Sequence, residues 1–277
     1  MTGRGPRSHA LLGAVVALVA LAGCTASPGA APTAATGASG SADALTGTLT
    51  VFAAASLKPA FDELTSAFAD AHPAVDVRPA TYDGSSTLAT QLVAGARADV
   101  LASADESTMA TVVDAGLVEG APTVFTTNTL QVVVPAGNPR GVASLADLAA
   151  LASSGGRVVL CAVQVPCGAA SQRVLAAAGV TLAPASEEQS VTAVLTKVAA
   201  GEADAGLVYR TDVLAAGDDV EGVDVDEAAD AVNRYPIAVL GTGVRSAPDA
   251  AVAQAFVDLV LSDAGRRVLA AHGFVAP

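Results

Sequence analysis

The chain has 277 residues, with 14 Lys and Arg against 27 Asp and Glu, for a formal net charge of −13. A field of that sign repels nucleic acid and offers anionic lipid no attraction, so a nucleic-acid binder is excluded. Any anion site must therefore act locally, through aimed hydrogen-bond donors. With no Trp, six Phe and three Tyr, the core has to be built from Ala, Val and Leu.

At the N-terminus, Arg4 and Arg7 precede an apolar stretch, Ala10 to Ala22, of signal-peptide length and short for a spanning helix. It ends in Leu21-Ala22-Gly23-Cys24, which resembles the bacterial lipobox. Residues 1–23 are thus expected to be a lipoprotein signal peptide, with Cys24 as the lipidated first residue of the mature chain. Residues 24–47 are rich in Ala, Ser, Thr, Gly and Pro, and read as lipid anchor and flexible linker. The expected location is extracytoplasmic, on the cell membrane through the N-terminal anchor alone. Cys161 and Cys167 remain in a compartment that permits pairing. With only His72 and His272 in the mature body, they make no usual metal cluster.

The body repeats strand, turn and helix. Thr48–Ala53 reads as a strand and Leu57–Ala69 as a helix, from apolar residues at Leu57, Ala60, Phe61, Leu64 and Phe68. A strand at Val75–Ala80, a helix at Ser86–Ala94, a strand at Asp99–Ala102 and a helix at Glu106–Ala115 follow. Thr129–Val134 is the next predicted strand, and Ser144 opens a helix over Leu145–Leu151. Arg157–Cys161 is a strand, and Ala169–Ala178 and Val191–Ala200 are helices closed by Gly179 and Gly201. Ala205–Val208 and Pro236–Leu240 are strands, and helices fill Asp249–Leu261 and Ala264–Ala271. This alternation predicts an α/β protein with mostly parallel sheets. Periodicity fits one doubly wound domain as well as two lobes.

Four strand-to-helix junctions share a theme: Ala53-Ala54-Ala55-Ser56, Asp83-Gly84-Ser85-Ser86, Val165-Pro166-Cys167-Gly168 and Glu188-Gln189-Ser190-Val191. Helix N-termini carry unpaired N–H groups and partial positive charge, so an anion can sit there without Lys or Arg. A serine adds a hydroxyl that rotates toward a ligand. Taken singly, each such serine is commonly just a helix cap; a set converging on one cleft would be an anion pocket.

The ordered set Thr50-Val51-Phe52-Ala53-Ala54-Ala55-Ser56-Leu57, Tyr82-Asp83-Gly84-Ser85-Ser86, Ala98-Asp99-Val100-Leu101-Ala102-Ser103-Ala104-Asp105, Val165-Pro166-Cys167-Gly168, Gly206-Leu207-Val208-Tyr209 and Tyr235-Pro236 resembles the molybdate-binding proteins of bacterial ABC transporters. The resemblance implies a type II periplasmic-binding-protein fold: two α/β lobes, a two-crossing hinge and a ligand cleft. Lobe 1 would hold residues 48–127 and 239–277, and lobe 2 residues 128–238. It implies a monomeric carrier of molybdate, and of tungstate, for an ABC transporter permease, with no cofactor. The implied oxyanion donors are Ser56 and Ser85, the backbone N–H groups of Cys167 and Val191, and the Tyr209 hydroxyl. The chain departs from the family pattern at Cys161-Ala162, where an Asp-Pro or similar pair is frequent, and at Cys167, where Ala is common. Together these suggest a Cys161–Cys167 disulfide that stiffens the ligand loop. Glu187 and Glu188 lie near Val191 in sequence and leave open a carboxylate in the coordination.

Beside this reading, and beside a non-transport lipoprotein with a sensory or adhesive role, stand two alternatives. One is a binding protein for sulfate, phosphate or an organic anion. The other is a hydrolase, which would need a base beside its nucleophile; no Gly-x-Ser-x-Gly elbow, P-loop or dinucleotide glycine fingerprint occurs, and a non-enzyme is expected.

Overall fold

The computed structural model describes residues 45–241 and 247–277. The expected signal peptide, Cys24 and most of the expected linker lie outside the described residues. The linker's last residue does not: β1 (Gly47–Leu49) already pairs in parallel with β3 (Val75–Val77). Thr50 breaks the single strand read from the sequence, its N–H going to Asp99 Oδ2 at 2.7 Å, and β2 (Val51–Ala54) begins a different sheet.

After β2, a 3-10 turn at Ala55–Leu57 runs into α1 (Lys58–Ala71). The helix buries Ala60, Phe61, Leu64 and Phe68, as the helical spacing predicts. β4 (Thr81–Asp83), α2 (Ser85–Val93), β5 (Val100–Ala102), α3 (Glu106–Asp114) and β6 (Val118–Asn128) complete the first pass. The chain then enters a second unit: β7 (Leu130–Pro135), α4 (Leu145–Ser153), β8 (Val158–Cys161), α5 (Pro166–Ala177), β9 (Ser186–Glu188), α6 (Val191–Ala199), β10 (Ala205–Tyr209), α7 (Arg210–Ala216) and β11 (Val220–Val223). It returns in β12 (Asn233–Leu240) and ends in α8 (Ala247–Leu261) and α9 (Asp263–Ala271).

Two five-stranded sheets result, ordered β4-β2-β5-β12-β6 and β11-β7-β10-β8-β9. The expectation of mostly parallel sheets is corrected. β12 is antiparallel to β5 and β6, and β7 is antiparallel to β10 and β11. The physical reason is the crossing itself, because a strand arriving from the other lobe runs against strands fed by local β-α-β connections. The lobe boundary shifts too. Residues 233–238, expected in lobe 2, hydrogen-bond within the first sheet because β12 starts at Asn233. The crossings therefore lie at Thr129, between β6 and β7, and between β11 and β12.

β6 was not predicted, because Gly120 and Pro122 interrupt its apolar pattern. It survives at the edge of its sheet, where a missing N–H is tolerated. The core beside α1 is aromatic: Phe256 of α8 packs edge-on against Phe68 at 5.5 Å and against Phe61 at 6.0 Å. The C-terminus is fastened to β6, where the Thr126 and Thr127 hydroxyls donate to the Val275 carbonyl.

Candidate functional site

All five sequence-predicted donor positions line one cavity. Its walls are Ala54, Ala55, Ser56, Gly84, Ser85 and Ala104 from the first lobe, and Val165, Pro166, Cys167, Ser190, Val191 and Tyr209 from the second. None of these lining residues is charged. Neither Glu187 nor Glu188 is among them, and Glu188 is instead bonded to Lys197 and Ser186.

Local sequence explains each wall. Ala54 and Ala55 carry only a methyl group each, which screens little of the backbone that lines the cavity. Ser56, in the 3-10 turn, is buried and its Oγ pairs with the Tyr235 hydroxyl at 2.9 Å. Ser85 is the first residue of α2; its Oγ accepts from the Ala104 N–H at 3.0 Å, which leaves the hydroxyl proton available. Pro166 opens α5, where its missing N–H costs nothing, and Cys167 follows in the first helical turn. The helix starts three residues before the Ala169 expected from the sequence, which puts the Cys167 N–H among the first-turn groups. Ser190 caps α6, its Oγ accepting from Ala193 N at 3.3 Å, so Val191 stands in the first turn. First-turn N–H groups have no acceptor inside their own helix.

Cys161 and Cys167 are joined by a disulfide with their Cα atoms 5.7 Å apart. It ties the end of β8 to the first turn of α5. Just after that loop Gly168 has no room for a side chain, since a Cβ would lie 1.9 Å from the Ala162 carbonyl oxygen.

Tyr209 ends β10 and precedes α7; its backbone N–H donates to Asp212 Oδ2 at 3.0 Å. Burial, with the neighbouring Tyr235, raises the Tyr209 hydroxyl well above the usual phenol range, so it stays protonated and able to donate at neutral pH. Burial likewise pushes the Asp212 carboxyl up to about 7, against the Tyr209 N–H, which holds it down.

The sequence reading missed the groups behind this wall. Asn233 on β12 and Asn128 at the end of β6 carry no motif of their own, Tyr235 enters the resemblance without a ligand role, and the pairing of β6 with β12 in the first sheet is what brings the three together. It also missed the contacts that join the lobes at the rim. Ser86 Oγ donates to the Gln164 carbonyl at 2.8 Å, and a Cβ on Gly84 would meet the Gln189 carbonyl oxygen at 2.0 Å.

The family model for bacterial extracellular solute-binding proteins matches residues 49–275. The molybdate-binding protein ModA of Mycobacterium tuberculosis (strain ATCC 25618 / H37Rv) is 48% identical over 229 residues, covering 83% of this chain and 85% of that protein. ModA of Escherichia coli (strain K12) is 31% identical over 246 residues, covering 85% and 91%. Among solved structures, the periplasmic molybdate-binding protein of Azotobacter vinelandii aligns with a TM-score of 0.68 at 22% identity, covering 83% of this chain and 99% of that one. The sulfate-binding protein SubI of Mycobacterium tuberculosis H37Rv aligns at 0.66 and 20% identity, covering 82% and 86%. At these identities the structural likenesses bear on the fold alone. Two sheets, two crossings and a cavity lined from both lobes define a two-lobed solute-binding protein. The chain belongs to the bacterial extracellular solute-binding protein family, among the molybdate-binding ModA proteins.

Proposed function

We propose that this protein captures molybdate outside the cytoplasm and passes it to an ABC importer, and that tungstate is taken by the same donors. The observation that carries the reading is the convergence of Ser56, Ser85, Cys167, Val191 and Tyr209 on one small cavity without a charged side chain in its wall. The two serine hydroxyls, the Tyr209 hydroxyl and the first-turn N–H groups of Cys167 and Val191 are potential donors that line the same cavity. Such an array suits a fully deprotonated oxyanion, whose oxygens only accept.

The energetics suffice without a cation. Hydrogen bonds to a charged group contribute roughly 1.5–3 kcal/mol each. Five to seven of them give roughly 8–20 kcal/mol before the costs of closure and ordering. A micromolar site requires about 8.2 kcal/mol. Molybdate and tungstate are close in size and share the site; sulfate is smaller and leaves donors under-satisfied. In this reading Cys24 carries the lipid anchor, the segment after it is the tether, and the protein works as a monomer that docks on its permease.

Calorimetric titration with molybdate, tungstate, sulfate and phosphate tests the reading. Near-stoichiometric heats for the first two with sulfate silent are expected. Binding of sulfate or phosphate in their place would move the assignment to another oxyanion, and silence with all four would leave the serines only their structural bonds to Tyr235 and Ala104.

A further inference from the structure

Asn233 begins β12 and is only 1% exposed. Its carboxamide meets three groups. Oδ1 accepts from the Arg173 guanidinium at 3.1 Å, while Nδ2 donates to the Ala104 carbonyl at 3.0 Å and to the Tyr209 hydroxyl at 2.8 Å. A carboxamide can in principle be turned end for end. Here its neighbours fix it, because a guanidinium only donates and a carbonyl only accepts. The end facing Tyr209 is therefore the NH₂ group, and the Tyr209 oxygen must accept from it.

That excludes one direction for the Tyr209 proton. It cannot point at Asn233, so it turns to the cavity or to the adjoining Tyr235 hydroxyl. The Tyr235 hydroxyl pairs with Ser56 Oγ at 2.9 Å, receives the Asn128 NH₂ at 3.5 Å and is hydrogen-bonded to the Tyr209 hydroxyl as well, so a bound oxyanion has to draw the Tyr209 proton from Tyr235 into the cavity. In the reverse orientation the carboxamide oxygen would take the Tyr209 proton and leave a phenol lone pair facing an anion. The three partners also come from both lobes, Ala104 from the first and Arg173 and Tyr209 from the second, so the orientation is set where the lobes meet.

We propose that Asn233, oriented by Arg173, is a positioning residue that holds the Tyr209 hydroxyl as a donor toward the bound oxyanion. The inference rests on the reading of Tyr209 as an oxyanion donor. It adds a group that touches no ligand and acts only through that hydroxyl.

A double-mutant cycle tests it, with molybdate titrated calorimetrically into the intact protein and into the Tyr209→Phe, Asn233→Leu and Tyr209→Phe/Asn233→Leu variants. Asn233→Leu is expected to weaken binding about tenfold in the native background, as befits one misaimed charge-assisted hydrogen bond. In the Tyr209→Phe background it is expected to change affinity by less than about twofold, because the hydroxyl it serves is gone. Full additivity in that background, or native affinity for Asn233→Leu alone, overturns the proposal; a merely structural residue would give additivity. Should Asn233→Leu fail to fold, Arg173→Met, at an exposed side chain, replaces it in the same cycle with the same expectation and a smaller loss. If Tyr209→Phe binds like the native protein, the donor role of Tyr209 falls and this inference with it. A loss in Tyr209→Phe with additivity leaves the donor role standing and overturns only the role of Asn233.

Discussion

Asn128 and Asn233 stand opposite each other in the ladder between β6 and β12, at the two points where the chain leaves and re-enters the first sheet. Each reaches one of a pair of buried tyrosines: Asn128 donates to the Tyr235 hydroxyl at 3.5 Å and Asn233 to the Tyr209 hydroxyl at 2.8 Å. The tyrosine rings meet edge-on, 5.9 Å between centroids. Asn128 also donates to the Thr211 hydroxyl of the second lobe at 2.8 Å. Hinge and candidate ligand donors thus form one buried polar cluster. Such a cluster defines a single arrangement when every member is satisfied, so lobe position and donor direction are fixed together.

The first prediction concerns the hydroxyl donors. Ser56→Ala, Ser85→Ala and Tyr209→Phe should each weaken molybdate binding by roughly ten- to a hundredfold, the range expected for one charge-assisted hydrogen bond. Val191→Ala should be nearly silent, since its N–H remains. Ser85→Ala should also lower the melting temperature, because it orphans the buried Ala104 N–H. Calorimetry and thermal unfolding read both effects. An equal loss for Val191→Ala would mean that side-chain packing, not the donors, sets affinity.

Gly84 is a glycine for closeness rather than for backbone freedom, since its φ is −56°. Gly84→Ala would place a methyl 2.0 Å from the Gln189 carbonyl oxygen of the opposing lobe. The variant should fold with near-native stability in the absence of ligand, yet bind molybdate roughly five- to a hundredfold more weakly, the cost of overpacking being on the order of 1–3 kcal/mol. Small-angle scattering should show less compaction on adding molybdate than for the native protein. Native affinity would show that the rim adjusts freely.

The disulfide should matter twice. Replacing both Cys161 and Cys167 by Ser is expected to cost about 2 kcal/mol of stability from the short closed loop. It should also weaken molybdate binding severalfold, because the first turn of α5 must then be ordered on binding. Thiol titration of the unreduced protein should detect no free thiol at these positions. Two reactive thiols, or unchanged affinity in the double serine variant, would remove the loop-stiffening role.

Asp212 gives a pH test. Its folded carboxyl titrates near 7 rather than at the ordinary 3.8, with burial as the main cause. The folded chain therefore holds this proton more tightly than the unfolded chain, so the group's contribution to stability is complete below about pH 4 and is lost as pH rises through 7. Asp212→Asn keeps an acceptor for the Tyr209 N–H without the charge. It should leave stability unchanged near pH 4 and raise it at pH 8 by on the order of 2–4 kcal/mol. Urea unfolding at the two pH values checks this, and an equal shift at both would rule out titration of Asp212 as the cause.

Much of the local structure was legible in the residues. The helices of α1, α3, α4 and α6 follow their apolar spacing and caps, and Ser144 and Ser190 accept from the third residue of their helices as such caps do. What escaped was structure with weak local signals. β6 carries Gly120 and Pro122, and β9 and β11 are three and four residues long. α5 begins with Pro166, and the reading placed its start after Gly168, three residues too late. These elements are held by pairing and packing with distant chain, which no local window contains.

The sequence by itself determined the acidic surface that forbids a basic anion trap, the alternation of strands and helices, and the small and hydroxylic residues at four helix starts. These are properties of composition and of short-range spacing, and they are written locally. Only the tertiary structure decided that Ser56, Ser85, Cys167, Val191 and Tyr209 face one cavity, that Gly84 must lack a side chain, and that Asn233 aims the Tyr209 hydroxyl. Convergence depends on two sheets meeting across two crossings. The polarity of a carboxamide depends on partners as far away in sequence as Ala104 and Arg173, and such relationships exist only once the lobes are in contact.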